Sequence, residues 1–582
     1  MNAAITFEHV QGQKYKWLVP TIDQSRILQV STTYSLCVPV ASTLVTRGIE
    51  SSENIDSFLF GTYDELKYHP SLLKDANKAV DRIIRAIENG DKILVFGDYD
   101  VDGITSSALM MICLIPLGAR VNYHVPHRAR DGYGLSVKVV EKAAASGYKV
   151  LITVDNGITA FAPAQRALQL GIDLIITDHH RPHDHIPEAY AVIDPLQHDC
   201  LYPFKMLAGV GVSFKVLSLL YERLGKTLPA KAYELMLLGT VADVVPLIDE
   251  NRLWVRHGLS YVNKVQSLSF ATLKANGNVS KERVSSTDIG FCLAPQINAL
   301  GRLEDPRQGV QFLMGSDPDI IVRTGQVLKE LNQARKEIEK SIFSTIKGHI
   351  EQRIIDIENR NIVVASSDQW PTGVIGLVAS RIVSLYHKPT ILLHTTDYGI
   401  SKGSCRSIGA VNMFDALSSA AHLIEQFGGH SQAAGLSIKT ENVVALSDYL
   451  HEHISKNTVP SDFVARITID AQAQLADFSQ KMVHDLAYLE PFGHQNSVPT
   501  FYVKNVTLVS PPTLLKDAHV KCMIFDQGVI KPLIFFNRPE IYEKLLINQD
   551  KAFDVAVQIT ENHWNGRISI ELIGVDIAWA TT

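Results

Sequence analysis

"KILVFGDYDVDGITSSALMMICLIPLG" occupies residues 92–118, and its reading decides the fold. Residues 92–96 are a short, continuous apolar run, the pattern of a strand buried on both faces. Residues 104–118 read as a helix. Between them "GDYDVDG" (97–103) sets Asp98, Asp100 and Asp102 at every second position. Strand, acidic turn and helix together open a βαβ unit. The alternation continues downstream. "RVNYHVP" (120–126), "YKVLITVD" (148–155), "IDLIITD" (172–178) and "YAVIDP" (190–195) read as strands. "VKVVEKAAASG" (137–147) and "APAQRALQLG" (162–171) read as helices between them. This order predicts a parallel sheet covered by helices on both faces.

Farther out the pattern changes twice. In residues 327–350 the apolar positions Val327, Leu331, Ile338, Ile342, Ile346 and Ile350 fit one helical face. The segment is either a long helix joining two lobes or a packed helix within one. A second α/β stretch follows, and from about residue 464 the chain is rich in strands. Asn565–Gly566 reads as a hairpin turn there, and the stretch suits a small β-barrel such as an OB-fold. The expected division is an N-terminal segment over 1–75, a catalytic α/β lobe over 76–315, a connecting helix over 316–355, a smaller α/β lobe over 356–458 and a barrel over 462–582. Residues 1–75 carry no readable function.

Composition sets limits. The chain has 582 residues, too many for one core, with 46% hydrophobic and 20% charged residues. A net charge of -6 excludes a uniformly basic surface, though not a local basic groove. Six cysteines without a CxxC pair exclude a thiolate zinc site and a disulfide framework, and fit buried thiols in a reducing compartment. The longest apolar run, "ALMMICLIPLG" (108–118), is too short to span a bilayer. The expectation is a soluble, cytoplasmic protein.

In an extended chain, alternate residues lie roughly 6–7 Å apart on one side. Asp98, Asp100 and Asp102 would then face one point, with Gly97 and Gly103 giving the backbone freedom at each end. Two more strands end in polar residues: Asp155 in "LITVDNG", and Asp178, His179 and His180 in "LIITDHH". Ligands of open parallel sheets bind beyond these strand ends. Five carboxylates and two imidazoles would thus converge. Asp243 in "GTVADVVPL" is either a buried, hydrogen-bonded carboxylate or a further ligand. Carboxylates so crowded repel unless divalent cations hold them, and oxygen donors with one or two imidazoles suit Mn²⁺ or Mg²⁺. Two such ions, roughly 3.5–4 Å apart, would acidify a water and clamp a phosphoryl oxygen, which is the chemistry of phosphoester or phosphoanhydride hydrolysis.

In kind and order, "DYDVDG", "VDNG", "DHH" and "VAD" resemble the DHH phosphoesterase superfamily. "GYGL" (132–135), "ALGRLEDPR" (299–307), "GVIGLVASRI" (373–382) and "GGHSQAAG" (428–435) are similar to its RecJ-type single-strand-specific exonucleases. The resemblance implies a DHH lobe, a DHHA1 lobe and an OB-fold. It implies Asp100, Asp102, Asp155, His179 and Asp243 as ligands of two Mn²⁺ or Mg²⁺ ions, with Asp98 a ligand or a group just behind one. His180 would contact the scissile phosphate or orient a ligand. The activity implied is 5′→3′ removal of nucleotides from single-stranded DNA, in repair and recombination, by a monomer. A helicase and a single-strand-binding protein would be its partners. Other DHH enzymes act on short RNA or cyclic dinucleotides, and a non-catalytic DNA-binding scaffold is a further alternative.

Substrate contacts are expected from both lobes. Gln296 stands where these exonucleases usually have arginine, and Arg302 remains nearby. Gly428 and Gly429 would let the backbone approach a phosphate, with a helix opening after them and His430 adding a donor. Ser404 and Arg406 in "GSCRS" would join them, and Arg381 is either a strand contact or a solvated or ion-paired residue. In the barrel, Phe501, Tyr502, Lys504, Lys521 and Trp564 are of the types that stack bases and track a backbone, though strand aromatics usually fill cores.

Overall fold

The computed structural model describes residues 6–62, 68–127, 132, 134–315, 317–564 and 567–579. Tyr133 of "GYGL" and the Asn565–Gly566 turn lie outside them. The chain forms two compact units: Gly61–Glu337 with Pro491–Ser497, and Met1–Phe60 with Ile338–Glu490 and Val498–Thr582.

The first of these is built on a five-stranded, wholly parallel sheet. Its order is Arg120–His124, Lys92–Phe96, Tyr148–Val154, Asp173–Thr177, Ala191–Ile193. The strands appear as the alternation predicts, most of them trimmed by a residue or more. Helices Val137–Ala145 and Phe161–Gln169 cover one face. Helices Ala76–Asn89, Val101–Leu114 and Gly209–Arg223 cover the other, in a much larger core. The first and third strands in sequence, Lys92–Phe96 and Tyr148–Val154, are sheet neighbours, and the second lies outside the first. The connections therefore run off in opposite directions between them. That is the topological switch point, where a crevice opens at the carboxyl ends. Asp98 and Asp155 follow those two strands closely.

The long helix starts earlier than its apolar stripe: it runs Pro318–Glu351, 34 residues, with the boundary between the units inside it. The second unit holds the smaller α/β lobe. Its sheet runs Gln426–Gly429, Ala433–Lys439, Ile400–Arg406, Thr390–Thr395, Val363–Ser367, with only the last pair parallel. Five later strands then close on themselves. Phe501–Leu508 pairs with both Phe553–Trp564 and His519–Asp526; Val529–Phe535 and Arg567–Ala578 complete the ring. This is the five-stranded barrel of an OB-fold. Phe501 and Tyr502 are buried on opposite faces of their strand, Phe501 against Phe478 and Tyr502 against Trp17, so neither is free to stack bases. Lys521 is ion-paired with Glu571 at 3.1 Å.

The N-terminal residues also find a place. Strands Thr6–Gln11 and Lys16–Thr21 form a hairpin, and the second pairs in parallel with Arg466–Thr468. Asp576, fully buried, accepts hydrogen bonds from Lys14 N, Tyr15 N and Trp17 Nε1 at 3.0–3.2 Å. Among the described residues no single helix is long and apolar enough to cross a membrane.

Candidate active site

The three aspartates of "GDYDVDG" do converge, but not as an extended strand. The strand stops at Phe96, the chain turns, and Asp100 becomes the N-cap of helix Val101–Leu114, its side chain accepting from Gly103 N at 3.0 Å. Asp102 lies in the first helical turn. Carboxylates at both positions are favoured by the unpaired N–H groups of a helix start. Gly97 and Gly103 are not in the left-handed region, so freedom of φ is not their purpose. They allow close approach: a Cβ on Gly103 would sit 2.5 Å from the backbone of Asp98, and one on Gly97 would overlap the Ser107 hydroxyl.

The other ligand-type residues come from three more elements. Asp155 follows its strand with φ 61, a left-handed conformation that a non-glycine residue adopts only under constraint. Asp243 caps the end of helix Lys231–Ala242, and Val244 after it has φ 59, rarer still for a β-branched residue. Asp178 faces away from the others: its Oδ2 accepts from Ile158 N at 2.9 Å, and its Oδ1 from His179 N and His180 Nδ1, each at 2.7 Å. It therefore fixes both histidines. Asp102 is held by residues that carried no signal in sequence, with Gly209 N and Val210 N donating to its two oxygens at 2.6 and 2.7 Å.

His179 Nε2 is the focus. It lies 3.1 Å from Asp155 Oδ1, 3.6 Å from Asp243 Oδ2 and 3.8 Å from Asp102 Oδ2. It is buried and has no hydrogen-bond partner among the described residues. Burial and the neighbouring His180 charge push its pKa down to about 4, so the ring is neutral. A hydrogen bond to the Leu207 backbone occupies its other side. A bare nitrogen lone pair thus faces carboxylate oxygens, acceptor against acceptor. Burial, followed by the Asp100 charge, pushes Asp102 up to about 7. Burial, then Asp102 and Asp100, raises both Asp155 and Asp243 well above the ordinary carboxylate range.

Either protons on these carboxylates or bound cations relieve the repulsion, and the donor geometry fits cations. Ligand atoms of Asp98, Asp100 and Asp155 lie within 4.8 Å of one another, as do those of Asp102, His179 and Asp243, and those of Asp155, His179 and His180. The donor set is all oxygen and imidazole, which fits Mn²⁺ or Mg²⁺. The groups overlap through Asp155 and His179, which fits a pair of ions.

Beside them opens a cavity of about 400 Å³ lined by Asp98, Tyr99, Asp100, His180, Asn298, Gly301 and Arg302. His180 is half-exposed there. Its burial favours the neutral ring, but the Asp178 hydrogen bond and charge, then Asp243 and Asp100, outweigh it and raise the pKa to about 9. A protonated imidazole and a guanidinium thus share a wall with carboxylates. Gln296 does not join them. It is buried, donating to Leu273 O and Cys292 O at 2.8 and 2.7 Å, so it stabilises helix packing and does not face the cavity. Asn298 and Tyr99, which do line the cavity, were passed over in sequence.

In the smaller lobe, Arg406 bonds to Ser404 Oγ at 2.9 Å and to Ser380 Oγ at 3.1 Å, beside helix Thr372–Tyr386. Gly428 and Gly429 end an edge strand paired with Ala433–Lys439, which in turn pairs with the strand carrying Ser404 and Arg406. No helix opens after "GGH". The chain makes a tight hairpin closed by His430 N to Ala433 O at 2.8 Å, with Gly429 at φ 140. Arg381 is occupied: it stacks 3.9 Å over Phe343 and lies 3.8 Å from Glu339. Cys405 is buried, its thiol pushed up to about 12.

Comparison with known proteins agrees with this layout. Residues 92–240 match the DHH family, N-terminal domain; 359–456 the DHHA1 domain; and 469–576 the RecJ OB domain. The single-stranded-DNA-specific exonuclease RecJ of Bacillus subtilis is 34% identical over 570 residues, covering 97% of this chain and 71% of its own. That of Escherichia coli is 31% identical over 557 residues, covering 92% and 94%. The crystal structure of RecJ from Thermus thermophilus in complex with Mn²⁺ superposes with a TM-score of 0.82 at 25% identity, covering 97% of this chain and 80% of its own.

Proposed function

This chain belongs to the RecJ single-stranded-DNA-specific exonucleases of the DHH family, and on that footing we propose that it removes nucleotides from the 5′ end of single-stranded DNA. It is a metal-dependent phosphodiester hydrolase. The observation that carries the reading is the bare His179 nitrogen among Asp102, Asp155 and Asp243, beside a cavity walled by His180 and Arg302.

In this reading Asp100, Asp102, Asp155, His179 and Asp243 hold two Mn²⁺ or Mg²⁺ ions, and Asp98 adds a ligand or steadies one from behind. Bound there, the ions would acidify a water and neutralise a phosphoryl oxygen. The protein's own groups do the rest. Asp178 grips His180 Nδ1, so the other ring nitrogen is the one that faces substrate. Protonated, it offsets charge developing on the phosphoryl group, as does Arg302. In the smaller lobe, Ser404, Arg406 and His430 bind a strand phosphate, with Gly428 and Gly429 letting the backbone come close. Arg381 is the weakest of these contacts, because Phe343 and Glu339 already engage it.

From the same kinship we propose a monomer acting in the cytoplasm in DNA repair and recombination, on strands opened by a helicase and coated by a single-strand-binding protein. The test is digestion of 5′-labelled and 3′-labelled single strands and a matched duplex, with Mn²⁺, Mg²⁺ or chelator and with Asp155→Ala alongside. Early release of mononucleotide from the 5′ label, on the single strand only, supports the reading when chelator and the substitution abolish it. An intact strand with both metals would overturn it.

A further inference from the structure

Gly209 belongs to none of the acidic motifs, yet two of them meet on it. Its N–H donates to Asp102 Oδ2 at 2.6 Å, and the next N–H, from Val210, to Asp102 Oδ1 at 2.7 Å. Its bare Cα matters as much. A Cβ there would lie 2.6 Å from Asp155 Cβ and 2.7 Å from Asp155 Oδ1, closer than atoms can approach. The conformation of Gly209 does not itself demand glycine: it begins helix Gly209–Arg223 and lies outside the left-handed region. The left-handed residue is Asp155, at φ 61. The two features are complementary. One delivers a side chain to a place the other leaves empty, within 3.1 Å of His179 Nε2.

We infer that Gly209 is a positioning residue for the metal centre, fixing Asp102 through its N–H and giving Asp155 the space to stand beside His179. This rests on the reading of the acidic cluster as a Mn²⁺ or Mg²⁺ site. Helix propensity works against any other explanation for a defect, because alanine is a better helix former than glycine. A loss caused by Gly209→Ala therefore has to come from the Asp155 contact or from the displaced N–H.

The experiment has two readouts on the full chain. The first is Mn²⁺ binding, followed by electron paramagnetic resonance, for the wild type, Gly209→Ala and Ser218→Ala on the same helix. Gly209→Ala is expected to bind at least tenfold more weakly, with Ser218→Ala unchanged. The second is thermal unfolding in chelator, for Gly209→Ala alone and combined with Asp155→Gly. Glycine suits the left-handed position and removes the clashing side chain. Gly209→Ala should lower the melting temperature of the wild type much more than that of Asp155→Gly, where only the 2.9 Å approach to the residue-155 Cα remains. If Gly209→Ala does not fold, recovery of folding in the double variant carries the same meaning, and failure to recover the opposite one. Wild-type affinity for Mn²⁺ in Gly209→Ala, or an equal melting loss in both backgrounds, would overturn the inference. A wild type that takes up no Mn²⁺ would sink the metal reading instead, and the melting cycle would then decide the positioning claim.

Discussion

His179 Nε2 stands 3.1 Å from Asp155 Oδ1 with no hydrogen bond between them. Two acceptors do not approach so closely, buried, unless something positive belongs between them or one of them takes up a proton. The cluster is therefore a source of instability whenever cations are withheld.

Asp243→Asn should separate stability from activity. In chelator the variant is expected to melt higher than the wild type, because it removes a buried charge that Asp102 and Asp100 oppose. Activity should fall by more than about 100-fold, beyond what is typical of groups that only support a ligand. Adding Mn²⁺ should reverse the order of stability. A hundredfold excess over Kd gives the wild type about 2.7 kcal/mol, and the variant much less. Calorimetry with and without Mn²⁺ measures both.

The pH dependence has a definite sign. Asp102 is pushed up to about 7, and Asp155 and Asp243 are raised well above the ordinary range, so the folded state holds these protons more tightly than the unfolded chain. In chelator, stability should be greatest at acid pH with respect to these groups and fall as pH rises from about 4 through 7. The slope should flatten in Asp243→Asn. Urea midpoints at a series of pH values in chelator test this; a flat wild-type profile would contradict the assigned repulsion.

Arg302→Ala should weaken single-strand binding and lower the dependence of log Kd on log salt by about 0.7, the loss of one phosphate contact. The effect should appear in both KM and kcat, because Arg302 is also placed to offset charge developing on the phosphoryl group. Gln296→Ala, by contrast, should cost stability and leave the salt slope unchanged, since Gln296 spends its donors on Leu273 and Cys292.

Arg406→Ala and Arg381→Ala should differ. The first removes a guanidinium bonded to Ser404 and Ser380, and is expected to weaken strand binding by about tenfold or more. The second removes one stacked on Phe343 and near Glu339, and is expected to change binding by about twofold at most. Fluorescence anisotropy with a labelled single strand, in chelator to prevent cleavage, would measure both.

Asp576→Ala should unfold the second unit early. It would leave the Lys14, Tyr15 and Trp17 donors without this acceptor and the largely buried Arg538 guanidinium without this partner, a loss of about 3–5 kcal/mol. Thermal unfolding followed by tryptophan fluorescence suits the test, because Trp17 is itself one of the donors.

What could be read from the sequence, and what could not, divides along physical lines. The parallel sheet was legible because buried strands are continuous apolar runs, and the acidic residues stood out where those runs stop. The barrel was legible from its many short strands. The hold on Asp102 was not, since Gly209 and Val210 lie 107 and 108 residues away and act through backbone N–H groups that any residue but proline carries. The hairpin after Gly429 was mistaken for a helix start because glycines and small residues suit both, and cross-strand pairing decided the matter. The N-terminal hairpin escaped notice because strand Thr6–Gln11 is almost wholly exposed and has no apolar alternation to read.

That hairpin has a consequence in time. Its second strand pairs with Arg466–Thr468, and Lys14, Tyr15 and Trp17 wait for Asp576, which lies 559–562 residues downstream. At ~5–20 residues per second, a ribosome needs roughly half a minute to two minutes to cover that distance. An isolated two-stranded hairpin is only marginally stable. Until Arg466–Thr468 is made, strand Lys16–Thr21 is an unpaired edge on a growing chain that has to be kept from pairing with its neighbours, and the donors beside it stay open longer still, until Asp576 emerges.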